Sequence, residues 1–307
     1  MSKIFNGEPF VLLTHYDLDG VGCALLLEKV AQDQILNMTP TGYNSIEKNV
    51  KKFNNNKNLI ITDFSPHQNI IDILNEKFEN VIIIDHHLSS LEVDFPKHWK
   101  TYINMKASGT KLLYLYLKKL GYNLEGTKQF VECVNDYDYV MWENIDHFND
   151  EKQRWMNAIY LNNIFWNLKF FPFNQKFKNF SWTPNLWKKA KDLQNIKERE
   201  ISEFDNYLID DFLRIVMAKN YISDISLFYT NEKHFVIMRN KNEMSFRSKF
   251  NLKSFYTQLN DIGIPAGGHK NAGGVNLKNT DYAGKEMEVI ELFYNFLKEN
   301  MNGQANK

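Results

Sequence analysis

Three apolar runs near the start of the chain end in the same chemistry. LLTHYDLDG, IITDFSP and IIIDHH each pass from buried-strand residues straight into acid or imidazole: His15, Asp17 and Asp19, then Asp63, then Asp85, His86 and His87. The runs Phe10–Thr14, Leu59–Thr62 and Val81–Ile84 are continuous and rich in Val, Ile and Leu, the pattern of strands covered on both faces. Helical spacing separates them, over Gly20–Ala31, Ser45–Phe53 and Asn69–Lys77, and a further helix, Ser108–Leu120, closes at Gly121. Alternating strand and helix predicts an α/β domain with a parallel sheet. Ligands of such sheets bind beyond the carboxyl ends of the strands. One acid after one strand is an ordinary helix cap or turn residue. Seven ionisable groups converging from three strands repel and lose hydration unless cations neutralise them, so the pattern predicts a metal site.

The donors are carboxylate and imidazole, without thiolate. That set suits Mn²⁺, with Mg²⁺ possible, better than a structural zinc. There are more donors than one ion needs, so two ions sharing a carboxylate are expected, the arrangement used for in-line displacement at phosphorus. Composition adds exclusions. Lys+Arg and Asp+Glu are both 37, so no global basic field points to long-duplex binding. Cys23 and Cys133 lie in apolar helical stretches and read as buried free thiols. The opening MSKIFNGEPF lacks an apolar signal core, and no run is long enough to span a bilayer, so a cytoplasmic protein with no membrane association is expected.

The ordered motifs resemble the DHH phosphoesterase superfamily. HYDLDG is similar to its first motif, TDFSP to the second and IDHH to the third, while NDYDYVMW (Asn135–Trp142) stands where a fourth acid belongs. IPAGGHKNAGG (Ile264–Gly274) and SFRSK (Ser245–Lys249) resemble the glycine-histidine motif and upstream arginine segment of the DHH-associated C-terminal domain. The resemblance implies that His15 and Asp17 hold one ion, Asp19 and His86 the other, and that Asp63 bridges them. Asp136 and Asp138 compete for the fourth place, with Asp136 preferred. It further implies that His87 faces the substrate phosphate and that Asp85 orients a neighbouring imidazole. One departure stands out: small-molecule members often carry a histidine where this chain has Leu13, and the His15–Asp17 spacing is more like the RecJ-type and archaeal members.

The C-terminal motif has its own physics. Its glycines, Gly267 and Gly268 among them, permit positive φ and let backbone N–H groups approach an anion. Arg247, Ser248 and His269 are the expected substrate contacts, with Arg247 and His269 as anion donors. No Lys-Ser/Thr follows, so this is not a nucleoside-triphosphatase loop.

Between these regions Arg154–Leu168 reads as an amphipathic helix, Pro172–Trp187 as an aromatic loop, and Lys188–Phe212 as a charged linker helix. The aromatics of 165–187 read as core or interdomain packing, with base stacking the competing reading. Lys188, Lys189 and Lys191 read as a solvated helix face. Leu213–Met217, ISLFY and FVIMR are strand-like. The expected organisation is a catalytic domain over 1–187, a linker over 188–212 and a smaller α/β substrate-binding domain over 213–307. The expected function is hydrolysis of short single-stranded oligonucleotides or related nucleotide phosphoesters by a two-metal mechanism, with no obligate protein partner. A RecJ-type single-strand exonuclease, an inactive nucleotide-binding scaffold and a pyrophosphatase are the alternatives. The motifs leave open RNA, DNA or cyclic dinucleotide as substrate.

Overall fold

The computed structural model describes residues 3–42, 45–54, 56–91, 93–141, 152–229, 233–268 and 270–305. The chain divides into two compact units, Met1–Gln194 and Asn195–Lys307.

The first unit is built on β1 (Phe10–His15), β2 (Ile35–Thr41), β3 (Asn56–Thr62), β4 (Phe78–Asp85) and β5 (Lys100–Ile103), a five-stranded sheet in the order β2-β1-β3-β4-β5. Every adjacent pair is parallel. Side chains alternate across it, as the two-residue period of a strand requires. Phe10 and Leu12 enter one core with Ile60, Ile82 and Ile84; Val11 and Leu13 enter the opposite core with Leu59, Ile61, Val81 and Ile83. Both faces are therefore apolar, which explains the continuous hydrophobic runs. Each fully buried Leu, Ile or Phe contributes about 1.5–3 kcal/mol.

The first core is covered by α1 (Leu18–Ala31), α4 (Gly109–Lys119), α5 (Lys128–Asn135), α6 (Lys152–Leu168) and α7 (Phe170–Lys176); the second by α2 (Ile46–Lys51) and α3 (Gln68–Lys77). A π-helical turn, Asp136–Val140, follows α5 without a break.

The order places β1 between β2 and β3, so successive connections leave it in opposite directions. That is a topological switch point, where the crevice of an open α/β sheet lies. Register does the rest. Thr14 pairs with Thr62 and Thr62 with Ile84, so the next residues, His15, Asp63 and Asp85, stand at one level along the sheet.

Strands β2 and β5 lacked a clear signal. They are the sheet edges, and with one flank open they carry polar residues such as Asn37 and Thr39 or Lys100 and Thr101. The segment expected as an aromatic loop contains α7, because Pro172 falls in its first turn, where a missing N–H breaks no helical bond.

Helix α8 (Pro184–Ser202) leads into the second unit and ends well before the expected Phe212, and Asn206–Ile209 is strand β6. It pairs antiparallel with β7 (Leu213–Met217). The strand-like ISLFY is instead a short helix, α9 (Ile225–Phe228), whose Ile225 packs with Val216, Phe235 and Ile237. Strands β8 (His234–Asn240), β9 (Glu243–Ser248), β10 (Ala266–Gly268) and β11 (Ala272–Asn276) complete a six-stranded sheet, β10-β11-β9-β8-β7-β6. One face packs against α10 (Lys253–Asp261) and α11 (Glu286–Ala305) through Phe246, Phe255 and Phe293.

Candidate metal centre

The site grows from the ends of β1, β3 and β4. Asp17 caps α1, its Oδ1 accepting the Gly20 N–H at 2.9 Å. Its other oxygen lies 2.6 Å from His15 Nδ1. Asp19, in the first turn of α1, is buried, and its two oxygens accept the Gly109 and Thr110 N–H groups at 2.6 and 2.8 Å. An anion at the N-terminus of α4 is favoured by the helix dipole. The approach is close: a Cβ on Gly109 would stand 3.0 Å from both Asp19 Oδ2 and Asp63 Cβ.

Asp63 follows β3 with φ 53°, a left-handed conformation that costs a non-glycine residue about 1–3 kcal/mol. Its N–H donates to the Ile84 carbonyl at 2.9 Å, which ties the turn to β4. His86 Nε2 stands 3.2 Å from Asp63 Oδ1, 3.2 Å from Asp138 Oδ2 and 3.7 Å from Asp19 Oδ2. Three donor sets result: His15, Asp17 and Asp63; Asp19, His86 and Asp138; Asp63, His86 and His87. Within each, one donor atom per residue lies within 4.8 Å of the others.

The fourth-motif expectation is corrected by this geometry. Asp136 faces Arg154, whose Nε and Nη2 donate to its two oxygens at 3.0 and 2.7 Å. Asp138 is the acid brought into the cluster. Both sit in the π-helical turn, and a two-residue step there carries the side chain to a different face. Arg154, the residue that claims Asp136, was read from the sequence only as the start of an amphipathic helix.

Asp85 stands behind the cluster. It is fully buried, accepts from Ser90 Oγ, and lies 2.7 Å from His87 Nδ1. This contact restrains the His87 ring.

Electrostatics show what the cluster lacks. Burial pushes the Asp63 carboxyl well above its ordinary value, and Asp17, Asp19 and Asp138 push it further. Burial does the same to Asp138, reinforced by Asp19 and Asp17. Burial pulls the His15 imidazole down, but the charge and hydrogen bond of Asp17, then Asp138 and Asp19, raise it to about 9. Burial pushes Asp17 up, yet the charge and hydrogen bond of His15 and the Gly20 N–H hold it well below the usual carboxylate range. Asp85, pushed up by burial, is drawn down to about 2 chiefly by the charge and hydrogen bond of His87. Protons held on His15 and on carboxyls thus stand where a cation would otherwise balance charge. Two buried carboxylate oxygens, Asp63 Oδ2 and Asp138 Oδ2, have no hydrogen-bond partner among the described residues. Carboxylate oxygens without hydrogen bonds beside imidazoles, and no thiolate, fit a hard or borderline divalent ion.

In the second unit Arg247 lies on β9, half-buried, its Nη1 donating to the Phe246 carbonyl at 2.9 Å. Gly267 and Gly268 pair with Gly274 and Gly273 across β10 and β11, and Gly268 has φ 147°. Ser248 departs from expectation. Its buried hydroxyl accepts the Phe250 N–H at 2.9 Å and lies 2.9 Å from His234 Nδ1, so it serves the turn after β9. Tyr256 was missed: its buried hydroxyl occupies the space a Cβ on Gly273 would need, 2.3 Å away. Helical periodicity marks Tyr256 only as core. His269 lies outside the described residues.

The sheet order, the switch-point crevice and the acid–imidazole cluster define a class. Residues 9–136 match the profile of the DHH family, N-terminal domain, and the chain is a metal-dependent phosphoesterase. It is 26% identical to oligoribonuclease NrnB of Bacillus subtilis (strain 168) over 315 residues, covering 92% of this chain and 75% of that protein. Its fold is similar to RecJ from Thermus thermophilus in complex with Mn²⁺, with a TM-score of 0.59 and 12% identity, covering 94% of this chain and 52% of that one. It is also similar to PggH, a pGpG-specific phosphodiesterase from Vibrio cholerae, with a TM-score of 0.53 and 15% identity, covering 93% and 99% of the two chains. Among the described residues, no helix is long and apolar enough to cross a membrane.

Proposed function

We propose that this protein is a Mn²⁺-dependent phosphodiesterase that hydrolyses short single-stranded oligonucleotides. The observation that carries the reading is a cluster of acids and imidazoles at the sheet's switch point in which two buried oxygens, Asp63 Oδ2 and Asp138 Oδ2, accept no hydrogen bond among the described residues. His15, Asp17 and Asp63 would hold one ion, and Asp19, His86 and Asp138 the other, with Asp63 close enough to His86 to be shared. Divalent ions held there would acidify water and neutralise charge developing on phosphoryl oxygens.

The chain's own residues supply the rest. Asp85 accepts a hydrogen bond from His87 Nδ1–H, which fixes the ring so that the doubly protonated form can pass its Nε2 proton to the departing oxygen. Asp19, braced by two helix N–H groups, keeps one wall of the site in place. We assign Arg247, the Gly267–Gly268 strand and His269 of the second unit to holding substrate phosphate, and leave Ser248 out of that set. Short oligonucleotides are favoured because the chain has no excess of basic over acidic residues and its curated relative is an oligoribonuclease.

The test is hydrolysis, with Mn²⁺ and with Mg²⁺, of labelled RNA and DNA from about two to about thirty nucleotides, beside cyclic dinucleotides and pyrophosphate. Turnover of the shortest oligonucleotides that requires added metal is the expected result. Full turnover after exhaustive chelation, or turnover of pyrophosphate alone, would refute it.

A further inference from the structure

The aromatic segment after the metal motifs divides into two populations. Phe165, Phe170, Phe173 and Phe177 are fully buried in the first unit's core. Trp166 and Phe171 are not: they are 47% and 54% exposed. A third exposed aromatic, Tyr16, at 37%, sits between the metal-site residues His15 and Asp17.

These three are not scattered. The Tyr16 ring stacks on Phe170 with centroids 5.9 Å apart, and Phe170 contacts Phe171 at 5.4 Å. Tyr16 also packs edge-on to Phe165 at 6.2 Å, and Phe165 contacts Trp166 at 5.2 Å. Each exposed ring is thus one buried ring away from Tyr16. Buried phenylalanines brace them from below, so little side-chain freedom remains to be lost when a ligand stacks. Between α6 and α7 lies a single residue, Lys169, with φ 67°. Its Nζ stands 5.0 Å from the centre of the Trp166 ring. A cation is therefore placed beside exposed π faces, next to a site proposed to cut phosphodiesters.

We infer that Tyr16, Trp166 and Phe171 form a nucleobase-stacking platform at the mouth of the metal centre, with Lys169 meeting the phosphate backbone of the same strand. The occupant is single-stranded nucleic acid, not a protein surface. Stacking accepts any base, because every base has a π face, and a neighbouring ammonium matches a chain with a phosphate between successive bases. The platform lies within the first unit and supplies base contacts in addition to the phosphate contacts assigned to Arg247. It rests on the phosphodiesterase reading and gives that site a preference for base-bearing phosphodiesters over base-free ones.

The experiment compares two probes of about five units, an oligoadenylate and an abasic phosphodiester chain of the same length. Affinities are measured by competition with chelator present, so that no turnover is needed. Wild-type protein should favour the oligoadenylate. Trp166→Ala and Phe171→Ala should each weaken it roughly five- to a hundredfold while leaving the abasic chain unchanged. Trp166→Phe and Phe171→Tyr, which keep the rings, should restore affinity. Equal affinity of wild-type protein for the two probes would overturn the platform, as would unchanged binding in the Ala variants or equal loss on both probes. The two readings fail separately. Oligoadenylate bound through these rings but never cleaved with Mn²⁺ would refute the enzyme and keep the platform. Metal-dependent cleavage with binding indifferent to these substitutions would do the reverse.

Discussion

Asp136 and Asp138 are two residues apart and do different work. Asp136 is an ion-pair partner for Arg154, and Asp138 turns a buried oxygen toward His86, 3.2 Å from its Nε2. Asp138→Ala should therefore remove a metal ligand: calorimetric titration with Mn²⁺ should lose one binding event, and kcat should fall by orders of magnitude. Asp136→Ala should leave Mn²⁺ stoichiometry intact and lower stability by about 1.5–3 kcal/mol, the scale of hydrogen bonds to a charged group. The opposite pattern would return the ligand role to Asp136. Protonation gives a second residue-scale prediction. His15 is raised to about 9, so in metal-free protein its contribution to stability is complete below its ordinary value of 6.5 and is lost as pH rises through about 9. Asp63 and Asp138, raised in the same sense, contribute most below the ordinary carboxylate value and lose that contribution as pH climbs through their raised values. Asp17 and Asp85 are lowered, and their contributions vanish only in strong acid. With chelator, the unfolding midpoint should fall between about pH 6.5 and 9.5, and saturating Mn²⁺ should flatten the slope because the ion replaces the protons. A midpoint that rises over this range without metal would contradict the assignment.

At the scale of elements, the start of α4 is a brace for the metal site. Ser108 caps the helix through the Lys111 N–H, and the next two N–H groups hold Asp19. Gly109→Ala should improve the helix by up to about 1 kcal/mol through backbone entropy, but its Cβ would press on Asp19 and Asp63. The expected outcome is a variant of near-native unfolding midpoint with Mn²⁺ affinity and kcat both reduced at least tenfold. Native metal affinity in that variant would show that the two acids can shift without consequence. The π-helical turn is the other element that sets the site, since it fixes which of two nearby acids faces His86.

For the whole molecule, metal binding and folding are linked, because the acids converge only when the sheet is formed. An ion at about a hundred times its dissociation constant adds about 2.7 kcal/mol to stability. Chelation should lower the unfolding midpoint, and Mn²⁺ should restore it. Both cysteines are buried in the first core; burial lifts the Cys133 thiol to about 11 and the Cys23 thiol well above its ordinary value. A thiol reagent at neutral pH should modify neither until denaturant is added, and prompt labelling of the native protein would show that the core is open.

The three strand ends were legible because a buried parallel strand needs an unbroken apolar run, and acids directly after it stand out. From them followed the sheet, the crevice and the acid–imidazole cluster, while the division of its members into ligands and helpers came from the resemblance. Sequence periodicity could not see the edge strands β2 and β5, whose mixed polarity reflects a flank without a neighbour. It preferred Asp136 to Asp138, because the local π turn and Arg154 arriving from another helix were not visible to it. Nor could it separate buried Phe170 from exposed Phe171, or see that Ser248 was already engaged by its own turn. Residue type and spacing determine which chemistry is available, since they depend only on the local chain. Which groups meet is decided by packing between segments far apart in sequence, and only the tertiary structure contains it.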